Sequence, residues 1–178
     1  MFRLINIALN CLLALTPLML ASGCAAQQPE LLHPSVSGYN HTSAAINSFM
    51  INGSGGGNVG PNEGGGSFVC CTTVPSQWRP GMTAVVEWEK DPKPFDYASW
   101  PPLGTDEYRA AYKKHVANYT RHRITVEIPP YKNVGSMNVH FLPCDQVRVA
   151  VNGLIPGQPG YPHNDVLNMK EPNKCPKP

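Results

Sequence analysis

Seventeen residues from Gly55 to Cys71, GGGNVGPNEGGGSFVCC, contain the densest group of residue types that could do chemistry. Glycine-rich loops can hold phosphates, and cysteines can hold metals. Gly55, Gly57 and Gly60 satisfy the spacing G-x-G-x-x-G, but a dinucleotide site also needs a helix to begin there. Pro61 and a second glycine run follow instead, and then a strand pattern. The stretch is therefore predicted to be a long hairpin loop between two strands, and no cofactor is expected.

The remaining reactive side chains form no recognised catalytic or metal-binding motif. The sequence contains no G-x-S-x-G, no H-E-x-x-H and no G-K-[ST]. His115 and His122 flank the end of a predicted helix, but their spacing matches no metal-ligand motif. We therefore expect no catalytic residue, no metal and no enzyme activity. An unrecognised catalytic site around His115, His122 and His140 is the alternative.

Four cysteines lie beyond the N-terminal segment and are the disulfide candidates: Cys70, Cys71, Cys144 and Cys175. Disulfides are the default for cysteines of an exported chain, and four cysteines allow three complete pairings. A bridge between the two adjacent cysteines is disfavoured because adjacent residues strain disulfide geometry. The pairing is otherwise left open.

The N-terminal segment predicts export and lipidation. Arg3 precedes a mostly apolar run, and the sequence LASGC that ends at Cys24 resembles a bacterial lipobox. We therefore predict a lipoprotein signal peptide over 1–23, a lipid on Cys24 and a lipidated tether over 24–34. By resemblance to other lipoproteins, Ala25 favours the periplasmic leaflet of the outer membrane. An ordinary secretory signal is the alternative.

Composition limits the classes of partner. The chain has 14 Lys and Arg against 12 Asp and Glu, and a formal net charge of +2. This balance gives no electrostatic reason to expect nucleic acid, or any contact with a membrane except through the lipid.

Short runs of alternating apolar and polar residues predict a mainly β domain over 35–178. The predicted strands are 45–52, 66–72, 83–90, 123–128, 137–142 and 146–151, and the last two are predicted to form a hairpin. An apolar stripe of helical period predicts one α-helix at about 105–119. The expected fold is an antiparallel β-sandwich or curled sheet of about 6–8 short strands with this helix inserted, followed by a Pro- and Gly-rich C-terminal tail.

Several segments together carry a family resemblance: SGYNHTSAAINSFMINGSGGGN, GGGSFVCCTTVPSQWRPG, VVEWEKD, VEIPPY and NVHFLPCDQVRV. Over about residues 35–155 the chain resembles a family of small bacterial lipoproteins of uncharacterised domain type. Members of that family look like immunity proteins for type VI secretion lipase effectors. The resemblance implies a periplasmic, membrane-tethered protein that binds and neutralises a secreted phospholipase, and it implies no catalytic residues.

An inhibitor of this kind needs an exposed surface for its partner, with aromatic and charged contacts. The candidate partner-binding residues are Asn58, Asn62, Glu63, Trp78, Trp100, Arg121 and Arg123. A structural or assembly lipoprotein of the cell envelope or of the secretion apparatus is the alternative function.

Overall fold

The computed structural model describes residues 29–176, so the predicted signal peptide and Cys24 lie outside it. The described chain contains nine β-strands and one α-helix. In chain order they are β1 (Leu31–Leu32), β2 (Val36–Asn40), β3 (Ala45–Ile51), β4 (Ser54–Gly56), β5 (Val74–Pro75), β6 (Thr83–Asp91), α1 (Asp106–Val116), β7 (Thr120–Glu127), β8 (Ser136–Leu142) and β9 (Gln146–Asn152). The prediction of a mainly β fold with one inserted helix is confirmed.

Two sheets pack face to face to form the core. One has the strand order β2-β8-β9 and the other the order β4-β3-β6-β7, while β1 and β5 form a separate two-stranded pair. Phe141 of β8 joins the two layers, because its ring lies 5.1 Å from that of Phe49 and 5.8 Å from that of Trp88. Between the named strands of residues 29–176, β2 and β8 are the one parallel pair, and the others are antiparallel.

The alternation along the strands decides which side chains enter this core. Ala84, Val86 and Trp88 of β6 are buried, and so are Met137, Val139 and Phe141 of β8. The two β8–β9 strands form the predicted hairpin, with Met137 opposite Val151 and Phe141 opposite Val147. Every second side chain of these strands therefore points into the space between the two sheets, as the two-residue period of a strand requires.

The C-terminal tail adds a third layer over the outer face of the three-stranded sheet. Tyr161 and Val166 of this irregular segment are buried. His163 donates from Nε2 to the carbonyl oxygen of Val149 at 2.8 Å, and Arg148 pairs with Asp165 at 2.6 Å. Asn138 and His140, on the outer side of β8, are consequently buried as well.

The helix α1 begins where the sequence provides a cap. The Thr105 side chain accepts a hydrogen bond from the Tyr108 backbone N–H at 3.1 Å, which satisfies one of the unpaired donors of the first turn. Near the other end, buried His115 contacts the buried carboxylate of Asp91 at the end of β6, with 2.9 Å between Nε2 and Oδ2. The helices of residues 29–176 include none that is long and apolar enough to cross a membrane.

The stretch around the two glycine runs differs from its prediction. Asn52 and Gly53 form a tight turn with φ of 50° and 79°, so Gly55 and Gly56 of the first glycine run belong to β4, the second strand of a short hairpin. The predicted strand 66–72 is wrong: these residues are irregular and touch β2 through a single bridge between Val69 and Val36. The connecting loop does not form a long hairpin but lies along β2.

Two further differences concern the boundaries and the cysteines. Leu31–Leu32, within the predicted tether, pair with β5. The disulfides are Cys144–Cys175 and Cys70–Cys71, so the expectation that the adjacent cysteines would not bridge each other is wrong. That expectation rested on the strain that adjacent residues impose on disulfide geometry. The backbone at Cys70–Cys71 is irregular and not part of a strand.

Candidate functional site

The outer face of the four-stranded sheet carries a ladder of charged side chains. The strand register places Ser48, Glu89 and Arg121 in one row across β3, β6 and β7. The next row consists of Met50, Glu87 and Arg123. We call these six residues the ladder face.

The two arginines of the ladder face each meet a glutamate on the neighbouring strand. Arg121 Nε lies 3.1 Å from Glu89 Oε2, and Arg123 Nε lies 3.6 Å from Glu87 Oε1. The arginine side chains are 86% and 69% exposed, so each pair contributes at most about 1 kcal/mol to folding stability. Their donors and charge are therefore available to a partner at little cost to the fold.

Met50 supplies an apolar centre beside these charges, with 43% of the residue exposed. The ladder face surrounds a shallow depression of about 460 Å³, which Phe49, Trp88 and His122 also line. Methionine and arginine are both enriched at protein interfaces, where methionine adapts to varied apolar shapes. The arrangement suits recognition of a protein surface.

The opposite face of β6 and β7 is charged where it meets the tip of the β8–β9 hairpin. Asp145 at the hairpin tip forms an ion pair with Lys90 and lies 3.8 Å from Nδ1 of His122. His122 stacks on Trp88 at a centroid distance of 4.9 Å. Burial lowers the pKa of His122, and Lys90 acts in the same direction, although Asp145 opposes both.

The second glycine run forms the wall of a groove of about 680 Å³. Asn40 donates its backbone N–H to the carbonyl of Glu63 at 2.7 Å, and Gly65 donates to the carbonyl of Gly38 at 3.0 Å, so the loop is fastened to β2. A Cβ atom on Gly64 would lie 2.6 Å from the Tyr39 Cα atom. Glycine is needed at this position for the close approach of the loop to β2.

Histidines form a buried cluster between β8 and the C-terminal segment. His140 is fully buried; its Nδ1 lies 2.9 Å from Nε2 of His41, and its Nε2 lies 2.5 Å from the Tyr161 hydroxyl. Burial lowers the pKa of His140 to about 3, and the nearby His41 and His163 act in the same direction. A neutral His140 satisfies both contacts if Tyr161 donates to Nε2 and Nδ1–H donates to His41.

The three histidines of the alternative catalytic hypothesis have three separate environments. His115 pairs with Asp91, His122 stacks on Trp88 and His140 lies under the C-terminal segment. Across residues 29–176 no three His, Cys, Asp or Glu side chains form a group that could hold a metal ion.

The residues predicted to bind a partner lie in four places. Arg121 and Arg123 belong to the ladder face, whereas the exposed Asn58, Asn62 and Glu63 line the glycine groove. Trp78 is half-buried and donates from Nε1 to the Ile128 carbonyl at 2.8 Å. Trp100 packs against three residues at the helix α1: Tyr108, Tyr112 and His115.

Sequence reasoning omitted four of the six ladder-face residues from its candidates: Ser48, Met50, Glu87 and Glu89. The strand pattern of β6 placed Glu87 and Glu89 on the outer side, but one strand alone does not reveal which residues lie opposite them. Met50 was omitted for the same reason. Alternating charges on β6 and β7 were the available signal, since opposite charges favour cross-strand pairing.

Together these features define a disulfide-containing two-sheet β protein with one exposed, charged sheet face. The chain belongs to the DUF3304 family, described as a protein of unknown function, whose family model matches residues 39–149. The match covers β3 to β8, α1 and all six residues of the ladder face. No curated protein and no solved structure matches the chain significantly.

Proposed function

We propose that the protein is a membrane-tethered periplasmic immunity protein that binds and neutralises a type VI secretion phospholipase effector through the ladder face. The observation that carries the binding role is the pairing of exposed Arg121 and Arg123 with glutamates around an exposed Met50. The effector class rests on the family resemblance of the sequence, and the membrane tether rests on the lipobox at Cys24.

The sheet makes the ladder face a prepared binding surface. Backbone pairing on both sides of β6 fixes the positions of its side chains, so binding costs less ordering entropy than it would on a mobile loop. Paired charges of both signs favour a partner with the complementary pattern and disfavour others. A cognate inhibitor needs this kind of selectivity.

The disulfides and the predicted lipid fit the proposed location. Disulfides persist in oxidising compartments such as the periplasm, and the structure contains two. A lipid on Cys24 would hold the protein at the membrane and raise its concentration near an enzyme that attacks phospholipid.

The test is co-purification and protection. The exported chain is produced together with the product of the neighbouring gene, and cells that express that product in the periplasm are scored for survival. Arg121→Glu with Arg123→Glu should abolish both binding and protection, because the ladder face would then present four acidic side chains.

The matched control is Lys170→Glu with Lys174→Glu, which makes the same charge change at exposed positions of the C-terminal segment. It should bind and protect as the unaltered chain does. Full protection by the double arginine variant would rule out the ladder face. Unchanged sensitivity after deletion of the gene, together with impaired secretion, would favour the assembly lipoprotein instead.

A further inference from the structure

The strand β7 forms an open edge of the four-stranded sheet, because it is the last strand in the order β4-β3-β6-β7. Ile128 donates its backbone N–H to Met82 at 2.9 Å, and Ile124 lies opposite Val86 in the same ladder. Antiparallel strands alternate between residues that face the neighbouring strand and residues that face away. The even-numbered residues of β7 therefore face β6, and the odd-numbered residues face the open edge.

The outward backbone groups belong to Arg121, Arg123, Thr125 and Glu127. Within residues 29–176 no hydrogen bond reaches the backbone N–H or C=O groups of these four residues. Such a row of unpaired groups is a template for another strand. The edge is eight residues long, which is longer than most strands of this chain.

We infer that β7 pairs with β7 of a second copy of this chain, antiparallel and centred on Ile124. In this register Arg121 lies opposite Glu127 of the second copy, and Glu127 lies opposite the second Arg121. Arg123 lies opposite Thr125. A two-fold axis thus forms two Arg–Glu cross-strand pairs with the residues of a single edge, and two-fold dimers are the commonest oligomers.

The charges distinguish this register from its neighbours. Centring the pair on Arg123 would place two arginines opposite each other, and centring it on His122 would place Arg121 opposite Arg123. Like charges in these positions are destabilising. Centring the pair on Thr125 would place Arg121 opposite Pro129, which has no N–H to donate. The register centred on Ile124 uses all four outward residues.

The availability of Glu127 supports this assignment. Its side chain is exposed, and no ion pair involves it within residues 29–176. Pairing at β7 would join the two four-stranded sheets into one and bring the two ladder faces side by side. The inference does not depend on what the ladder face binds.

Cross-linking of the full exported chain in its membrane tests the register. With Ile124→Cys, the two new thiols would lie on the two-fold axis, at a pair whose Cα atoms are about 4.5 Å apart, within disulfide range. A band of twice the chain mass on a non-reducing gel is expected. Val126→Cys is the matched control, because Val126 lies on the same face of β7 and is half-buried, as Ile124 is. In the inferred register it would lie opposite His122, so its thiol would have no thiol partner.

Three results would overturn the inference. Equal dimer yields from the two variants would show that cross-linking is nonspecific. Cross-linking by Thr125→Cys without Ile124→Cys would show a different register. A cross-link from Ile124→Cys to a protein of different mass, with no doubled band, would show that another protein occupies the edge.

Charge reversal provides an independent test that does not use new cysteines. Glu127→Arg places two like charges in each cross-strand pair. The dissociation constant of the dimer, measured by analytical ultracentrifugation, should therefore rise at least about fivefold. Adding Arg121→Glu reverses both partners and should restore at least half of the lost dimer. A monomeric unaltered chain at all accessible concentrations, or equal dissociation of all three chains, would refute the pairing.

Discussion

Removing the Cys144–Cys175 disulfide should reduce the stability of the whole domain substantially. The bridge joins the tip of the β8–β9 hairpin to the end of the C-terminal segment, at a sequence separation of 31. The chain-entropy relation for a closed loop of about 32 residues gives about 12 cal/mol/K, or about 3.7 kcal/mol at 25 °C. The double variant Cys144→Ser, Cys175→Ser leaves no unpaired thiol at either position and should lose about this much.

The assay is urea unfolding of the exported protein, monitored by tryptophan fluorescence because Trp88 lies in the core. A loss of about 3.7 kcal/mol should also lower Tm by about 7–15 °C for a chain of this size. The matched control is Cys70→Ser with Cys71→Ser. That bridge closes a loop between adjacent residues, so its removal leaves the unfolded chain almost as constrained as before and should cost under about 1 kcal/mol.

Two outcomes would refute the reasoning. The first outcome is a free energy of unfolding of the Cys144–Cys175 variant within about 1 kcal/mol of that of the unaltered chain. The C-terminal layer would then not depend on its covalent closure. If both variants lose the same free energy, loop length does not determine the effect. Limited proteolysis should cleave residues 153–176 faster in the Cys144–Cys175 variant than in the control.

Three further predictions concern the buried histidine, the glycine loop and the helix cap. Burial lowers the pKa of His140 to about 3, so the unfolded chain binds a proton at this residue more readily than the folded chain does. The free energy of unfolding is therefore unaffected by protonation of this residue above about pH 6.5. It falls as the pH falls, by about 2 kcal/mol between pH 7 and pH 5. Urea titrations at both pH values should show this loss, and His140→Asn should remove it; an unchanged pH slope would contradict the assignment. Gly64→Ala should cost about 1–3 kcal/mol through the contact with Tyr39, whereas Gly66→Ala, with open space around it, should change stability by under about 0.5 kcal/mol in the same titration. Thr105→Ala should cost about 1 kcal/mol by removing the cap of α1, and Thr105→Ser should retain most of it; equal losses would show that the hydroxyl does not act as the cap.

Strands whose sequences alternate apolar and polar residues were predictable, and β2, which lacks this alternation, was not. Alternation located β6, whose outer side is partly exposed, and also β8, whose outer residues Asn138 and His140 are polar although they are buried. In β2, four of five residues are buried, since the strand lies beside β8 and the glycine loop covers its other edge. Its sequence, VSGYN, shows no alternation to detect. The β3–β4 turn did have a signal, Asn52-Gly53, which is the strongest short hairpin signature.

The candidate site was predictable in composition but not in arrangement. Arg121 and Arg123 were selected from the sequence as a basic group, and they do lie at an exposed strand edge. Their glutamate partners are more than thirty residues away in the chain, and only the register of β6 against β7 brings them together. The burial of His140 was equally hidden, because the irregular segment that covers it has no periodicity from which packing could be inferred.

The C-terminal layer determines which sheet face can receive a partner. A two-sheet sandwich has two outer faces, and residues 153–176 cover that of the three-stranded sheet through Tyr161, Val166 and the contact between Arg148 and Asp165. In the described chain the outer face of the four-stranded sheet keeps its arginines and Met50 exposed. Since a covered face would have to lose a layer held by a disulfide before it could bind, recognition is expected at the ladder face. The same argument applies to the edges: the open edge at β7 borders this face, so pairing there would enlarge the exposed surface rather than bury it.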